Sequence, residues 1–194
     1  MLPESNGIIR QALPADAPAI APLLLLAMGS LADYFTSGSN REQQIQLFTL
    51  FIQKTDNQYS FENTMVYEEN NTILGASNGY DGSKLIQLRK DFVEYITQQY
   101  NVNFPETENE TEPGEFYIDC VCVSPVSQGK GIGKKLLSVM LNKAKTLGFS
   151  RVGLLVSIHN IKAKKLYEDL GFKVVKNKKF MGDDYYHMQY SIPN

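Results

Sequence analysis

Residues 128–147 read QGKGIGKKLLSVMLNKAKTL, in which a glycine-rich turn opens directly into a helical pattern. Apolar side chains recur every three or four residues from Ile132 onward, as in a helix with one buried face. The preceding stretch, EFYIDCVCV at 115–123, has the composition of a strand. Backbone amides at the start of a helix bind anions, and glycines let a phosphate approach them closely. The stretch therefore predicts a strand, a phosphate-binding turn and a helix.

The glycine spacing excludes two common nucleotide-binding loops. A Walker A loop has a glycine five residues before its Gly-Lys pair and a Ser or Thr after that pair. Here Gln128 occupies the glycine position and Lys135 follows the pair. A dinucleotide-binding loop requires GxGxxG, and its third glycine position falls here on Lys134 or Leu136. A different phosphate-bearing ligand is therefore indicated.

The spacing Q-x-x-G-x-G, matched by Gln128, Gly131 and Gly133, resembles the signature loop of the GNAT superfamily of acetyl-CoA-dependent N-acetyltransferases. A second segment, VSIHNIKAKKLYEDLGFK at 156–173, resembles the second signature of that superfamily. Its matching residues are Asn160, Ala163, Leu166, Tyr167, Gly171 and Phe172.

The resemblance extends more loosely to the opening IIRQALPADAPAI at 8–20. It is strongest over 115–173, whereas residues 81–114 are particular to this branch. It implies a single domain over 1–194 with an α/β (α+β) fold. That fold has a mixed, mostly antiparallel central sheet, helices on both faces, and two strands that splay apart as a wedge for CoA. The alternation of strands and helices after residue 115 points to the same layered arrangement.

Periodicity predicts the elements that precede the signature region. They are a strand at 7–13, a helix from Asp16 to about Asp33, a helix within 39–57, a hairpin with strands 65–67 and 73–76, and a helix from Lys84 to Tyr100 capped by Ser83. The following stretch, NVNFPETENETEPGE at 101–115, is acidic and broken by Pro and Gly, which predicts a mobile, solvated loop. Attraction of a cationic acceptor by its glutamates is the alternative interpretation.

The resemblance also implies which residues hold acetyl-CoA. The pantetheine arm would follow the backbone of Val121, Cys122 and Val123, and its other side would contact Asn160, Ala163 and Tyr167. Asn160 also suits the N-cap of the helix that follows it. The pyrophosphate would meet the glycine turn, whose residues are Gln128, Gly129, Lys130, Gly131, Ile132, Gly133 and Lys134.

The resemblance implies a general acid and leaves the general base open. Tyr167 would protonate the departing CoA thiolate, since a phenol with a pKa of about 10 can supply that proton. Asp119 is our first choice for the base that deprotonates the amine, and Glu115, acting through water, is the second. The strand period of two places both carboxylates on one face and Cys120 and Cys122 on the other. A core tyrosine and a structural carboxylate are the alternative roles for Tyr167 and Asp119.

These residues predict an N-acetyltransferase that transfers acetyl from acetyl-CoA to a primary amine by direct attack in a ternary complex. The alternative function is a non-catalytic, acyl-CoA-binding regulatory module on the same fold. In the superfamily the acceptor is set by segments that correspond here to 20–35, 80–114 and 180–187. The residues expected to border the acceptor pocket are Asp184, Tyr185 and Tyr186.

Composition argues against several other classes of partner. The chain has 194 residues and a net charge of -2, whereas nucleic-acid-binding domains carry a strongly basic face. Its most apolar stretch, residues 19–32, is shorter than a membrane span and contains Pro22. Free cysteines favour a cytoplasmic protein. His159 and His187 lack the spacing of a metal site, so no metal is predicted. The expected assembly is a monomer or homodimer.

Overall fold

The computed structural model describes residues 7–105 and 109–193, which form one seven-stranded sheet flanked by six α-helices. The strands are β1 Ile8–Gln11, β2 Thr64–Glu69, β3 Thr72–Asp81, β4 Phe116–Val123, β5 Arg151–Ser157, β6 Lys173–Phe180 and β7 Asp183–Ser191. The helices are α1 Ala17–Met28, α2 Ser30–Phe35, α3 Arg41–Ile52, α4 Leu85–Tyr100, α5 Ile132–Thr146 and α6 Ile161–Asp169. The strand order is β1-β2-β3-β4-β5-β7-β6.

Strands β4 and β5 are the parallel neighbours in an otherwise antiparallel sheet. Their pairing consists of Phe116 with Val152 and Tyr117 with Gly153. Each strand continues well beyond these pairs, β4 against β3 and β5 against β7, so the two diverge toward their carboxyl ends. This geometry confirms the predicted mixed, mostly antiparallel sheet and opens a wedge at its centre.

Two apolar layers cover the sheet, as the helical periodicity predicted. Residues of α1, α2, α3 and α4 form a core on one face, in which Phe92 makes edge contacts with Phe35, Phe51 and Tyr59. Helices α5 and α6 pack on the other face, where Leu137 and Met140 are fully buried. Burial of such side chains contributes about 1.5–3 kcal/mol each.

The helix predicted from Asp16 to Asp33 is divided into α1 and α2 at Gly29. Gly29 has φ of 55° and ψ of −126°, a non-helical conformation that interrupts the helix and that glycine adopts at little cost. The predicted cap of α4 is also wrong: Asp81 accepts the amide hydrogen of Ser83, and a 3₁₀ turn then leads into the helix. The break at Gly29 places the α1–α2 junction beside the wedge.

The described part of the acidic segment is held against the domain, so the prediction of a mobile, solvated loop is wrong there. Phe104 is buried in the core, and Glu110 is buried in an ion pair with Arg89. Glu112 pairs with Lys176 and Lys178 of β6. Glu106 and Glu108, which belonged to the same prediction, lie outside the described residues.

Within residues 7–105 and 109–193, no helix combines the length and apolar character needed to cross a membrane.

Candidate active site

A cavity of about 580 Å³ lies between the diverging strands β4 and β5. One wall comes from β4, where Asp119, Cys120 and Val121 line the cavity. The opposite wall comes from the end of β5 and the start of α6. Its residues include Ser157, His159, Asn160, Ala163 and Tyr167. The wedge therefore brings together the predicted base, the predicted acid and part of the predicted cofactor-binding set.

A β-bulge in β4 sets the direction of the predicted base. Asn78 of β3 pairs with Cys120 and the next residue, Gly79, pairs with Ile118, so Asp119 is an extra residue without a partner in β3. The bulge interrupts the alternation of the strand. As a result, Asp119 and Cys120 both line the cavity, and the prediction that they face opposite sides of the sheet is wrong.

The carboxylate of Asp119 is buried and hydrogen-bonded. Its Oδ2 accepts a bond of 2.9 Å from the hydroxyl of Tyr80 and a longer one of 3.5 Å from the side-chain amide of Gln58. Burial raises the pKa of Asp119 to about 7, and the charge of Glu110 acts in the same direction. The Tyr80 bond, Arg89 and Gln58 oppose the shift. A carboxylate with this pKa can both accept and release a proton at neutral pH.

A buried polar network lies behind Asp119, and sequence reasoning missed it. Gln58, which donates to Asp119, accepts a bond of 3.3 Å from Arg89 Nε through its own oxygen. Arg89 is in turn ion-paired with Glu110, and its guanidinium lies 4.9 Å from the centre of the Phe104 ring. The hydrogen bonds of this network join residues 21 to 61 positions apart, so no local motif reveals them.

Tyr167 and Asn160 face the cavity from α6 and the turn before it. Asn160 is the N-cap of α6, because its Oδ1 accepts the amide hydrogen of Ala163 at 3.1 Å. Tyr167 lies two turns further along, and its ring packs against Phe172 at 5.9 Å between centroids. Burial raises the pKa of Tyr167 above its ordinary value. Its phenol therefore stays protonated at neutral pH.

The glycine turn after β4 has the geometry of an anion-binding site. Gly129 and Gly131 have φ of 81° and 78°, and α5 begins immediately after them. The amide of Lys135 donates to the carbonyl of Gly131, so the three amides of residues 132–134 precede the helical bonding ladder. The turn is exposed apart from the buried Ile132 and the half-buried Gly133, and Lys130 and Lys134 are exposed within it. It fits a bound pyrophosphate.

Other predicted cofactor residues lie outside the cavity wall. Cys122 is buried, and its thiol donates to the carbonyl of Ala76 at 3.4 Å, so only its backbone is available to a ligand. Val123 packs near Ile132 and Leu136 at the start of α5. Beyond Tyr117, none of the described β4 residues pairs with β5, which leaves the β5-facing backbone groups of this strand unpaired within the sheet.

Glu115, the second candidate base, does not line the cavity. Its carboxylate is fully buried and accepts bonds of 2.8 Å from the Glu112 amide and from the Gln189 side chain. His187 Nε2 lies 3.1 Å from the same carboxylate. The carboxylate sits over Gly153, where a Cβ would overlap it. This arrangement, the Glu115 clamp, joins the start of β4 to β7 across β5 at the closed end of the wedge.

We expect Gly153→Ala to destabilise the protein by about 2–3 kcal/mol, because the added methyl group displaces a buried, fully bonded carboxylate. Urea unfolding followed by circular dichroism measures the change. Gly133→Ala is the matched control, since a Cβ there meets its nearest neighbours at an ordinary 3.7 Å. Equal free energies of unfolding for the two variants would contradict the close packing of the Glu115 carboxylate on Gly153.

The residues predicted to border the acceptor pocket are only partly in place. Tyr185 lines the cavity together with the neighbouring Asp183. Asp184 is exposed and Tyr186 packs on the α5–α6 side of the sheet, and neither lines the cavity. Among the described residues there is no cluster of three or more metal-ligating side chains.

Comparison with known proteins identifies the family. The model of the acetyltransferase (GNAT) family matches residues 29–172, well over half of the 194 residues. The chain belongs to the GNAT acetyltransferase family. The resemblance inferred from the Q-x-x-G-x-G loop and the second signature is thereby confirmed.

Individual GNAT relatives agree with the match. The spermine/spermidine N(1)-acetyltransferase of Bacillus subtilis (strain 168) is 31% identical over 81 residues, which cover 41% of this chain and 53% of that protein. The chain thus spans about half the length of this curated relative. A crystal structure of an acetyltransferase is 30% identical, covers 96% of this chain and 100% of its own, and has a TM-score of 0.77. The yncA protein of Salmonella typhimurium, solved with its cofactor acetyl-CoA, is 21% identical, covers 98% of this chain and 96% of its own, and shares the fold with a TM-score of 0.61.

The GNAT match leaves two walls of the cavity outside its range. It includes β4, the glycine turn and α6, but it begins after α1 and ends before β6. Leu26 of α1, Phe180 of β6 and Tyr185 of β7 nevertheless line the cavity. The part of the site that faces away from the glycine turn is therefore built partly by sequence that the family model does not describe.

Proposed function

We propose that this protein is an N-acetyltransferase that moves the acetyl group of acetyl-CoA to a primary amine within a ternary complex. The observation that carries this proposal is that Asp119 and Tyr167 face one cavity from opposite sides of the β4–β5 wedge. The glycine turn that follows β4 supplies an anion-binding site beside the same wedge. The activity of the Bacillus relative supports transfer to an amine.

In this proposal acetyl-CoA lies across the opening between β4 and α6. The unpaired backbone groups of residues 121–123 hydrogen-bond the pantetheine amides, much as an added strand would. The turn at 128–134 binds the pyrophosphate through its amides, helped by the dipole of α5. Asn160 and Ala163 border the arm on the other side, together with Tyr167. Bound acetyl-CoA supplies the thioester whose acetyl group is transferred.

Asp119 acts first, as the general base. It accepts one proton from the ammonium form of the acceptor, so that the nitrogen lone pair becomes available. The nitrogen then attacks the thioester carbonyl carbon and a carbon–nitrogen bond forms. Backbone amides of β4 beyond the bulge stabilise the negative charge that develops on the carbonyl oxygen. Such fixed donors are effective because they need no reorganisation during the reaction.

Tyr167 acts second, as the general acid. As the carbon–sulfur bond breaks, its electron pair goes to sulfur and Tyr167 supplies the proton that this thiolate needs. The nitrogen loses a second proton as the amide forms, and that proton restores Tyr167 through solvent. The ammonium group thus gives up two protons and sulfur gains one, so each turnover releases one proton to solvent.

We expect Tyr167→Phe to lower kcat by about tenfold or more while acetyl-CoA affinity changes little, because only the proton donor is removed. Release of CoA thiol over a panel of amines measures kcat, and calorimetry measures affinity. Tyr190→Phe is the matched control, since Tyr190 packs against Phe172 without lining the cavity.

An unchanged kcat in Tyr167→Phe would remove this residue as the acid. Tight acetyl-CoA binding without thiol release from any amine in the panel would instead favour the regulatory module and contradict the proposed activity.

A further inference from the structure

The half of the cavity that faces away from the glycine turn is walled by aromatic rings. Phe35 of α2, Phe92 of α4 and Phe104 of the following loop line it on one side, and Phe180 and Tyr185 of the β6–β7 hairpin line it on the other. The rings support one another, with Phe35 making edge contact with Phe92 at 5.3 Å between centroids and stacking on Phe104 at 6.2 Å. This wall, the aromatic wall, offers a preformed surface for an apolar or ring-containing group.

The charged groups in this half largely cancel one another. Arg89 is the only arginine or lysine among the described residues that line the cavity. It is ion-paired with Glu110, and both side chains are 9% exposed. Its guanidinium also lies against the rings of Phe104 and Phe180, at 4.9 and 5.9 Å from their centres. The pair therefore forms an internally neutralised part of the wall.

Two other carboxylates border the cavity, and they differ in how far they are exposed to solvent. Asp119 is buried at the reacting end and hydrogen-bonded to Tyr80. Asp183 is exposed at the rim, where water screens its charge. Among the described residues, the cavity thus presents one buried carboxylate, that of Asp119, to one ammonium group. A second ammonium group would meet the aromatic wall or solvent, and an acceptor carboxylate would meet a cation already occupied by Glu110.

We propose that the acceptor is a primary monoamine carried on an apolar, ring-containing body that bears no carboxylate. This inference rests on the N-acetyltransferase activity proposed above and names the substrate class of the same site. The amine lies at Asp119 and the body lies against the aromatic wall. Burial of the body supplies the binding energy, and the pairing of Arg89 with Glu110 selects against amino acids.

Three acceptors test this inference on the full chain with acetyl-CoA: 2-phenylethylamine, L-phenylalanine, which adds only a carboxylate, and spermidine, which replaces the ring by further amines. We expect kcat/KM for 2-phenylethylamine to exceed that for L-phenylalanine by about a hundredfold, a difference of about 2.8 kcal/mol, and that for spermidine by about tenfold, since the aromatic wall offers no partner that replaces the hydration of an added charge. Equal or better use of either competitor overturns the inference.

A variant that removes the charge of Glu110 tests the role of the Arg89–Glu110 ion pair directly. Glu110→Gln replaces one carboxylate that pairs with Arg89 by a neutral amide, so the ratio of kcat/KM for L-phenylalanine to that for 2-phenylethylamine should rise about tenfold or more. Glu112→Gln is the matched control, because Glu112 pairs with Lys176 and Lys178 and does not line the cavity. A ratio that moves equally in both variants overturns the role of the pair.

The double variant Arg89→Met/Glu110→Leu covers the case in which Glu110→Gln does not fold. It removes both charges together, so the preference for 2-phenylethylamine should persist; loss of that preference overturns the inference. Acetyl-CoA binding, measured by calorimetry, distinguishes a wrong acceptor class from an absent transferase activity. Preference for spermidine with normal acetyl-CoA binding contradicts the acceptor class alone, whereas no thiol release with any amine contradicts the transferase activity itself.

Discussion

Gly133→Asp is expected to weaken acetyl-CoA binding by about a hundredfold or more, a loss of ~2.8 kcal/mol, while the fold survives. A side chain at this position points toward Val123 and Leu166, because its Cβ would lie 3.7 Å from each. That is the gap between the end of β4 and α6, beside the amides proposed to bind the pyrophosphate. A carboxylate there repels the phosphates and competes with them for the same donors.

The folded state is expected to tolerate this change. An acidic residue in the first turn of a helix is favourable by about 0.3–1 kcal/mol, so α5 gains rather than loses stability. Gly133→Asn is the matched control, since it has the same shape without the charge. Calorimetry measures acetyl-CoA affinity and thermal melting measures stability. Unchanged affinity in a folded Gly133→Asp protein would contradict the assignment of the turn.

Asp119→Asn is expected to lower kcat/KM by about a hundredfold or more at pH 7 to 8, because positioned general bases contribute about 10²–10⁴. Asn is isosteric, and its oxygen can still accept from Tyr80 and Gln58, which both donate to Oδ2. Only the ionised carboxylate accepts a proton, and the pKa of Asp119 is raised to about 7. Wild-type kcat/KM should therefore fall as the pH drops below about 7, and this dependence should vanish in the variant.

Glu115→Gln separates the two candidate bases in the same assay. Because Glu115 is bound within its clamp and does not line the cavity, the pH dependence near 7 should persist in this variant. Persistence of that dependence in Asp119→Asn, together with its loss in Glu115→Gln, would reverse the assignment. Both variants require a measured unfolding curve, since each carboxylate is hydrogen-bonded inside the domain.

The part of the molecule that the sequence predicts well is the part governed by local patterns. Strand β4, the glycine turn, α5, β5 and α6 follow from apolar periodicity, glycine spacing and the cap at Asn160. Each of these signals acts within a few residues, so a single sequence carries it. The wedge itself follows from the resemblance of these segments to the GNAT signatures rather than from any one residue.

The features that the sequence did not predict depend on contacts between distant segments. The bulge at Asp119 arises from a shift in the register between β4 and β3. A prediction that assumes strict alternation of side chains along β4 cannot detect such a shift. The acidic stretch looks solvated by composition, yet Glu110 is buried because Arg89 from α4 reaches it. Only tertiary pairing distinguishes such a residue from its exposed neighbours.

The Glu115 clamp has an evolutionary consequence. The carboxylate of Glu115 occupies the volume that a side chain at Gly153 would need, so Gly153 is not free to change while Glu115 is retained. A relative that gains a methyl group at the position of Gly153 must first lose or shorten the acid at the position of Glu115. The two sites are expected to substitute as a pair across descendants of this sequence, and the order of the two steps is fixed by sterics.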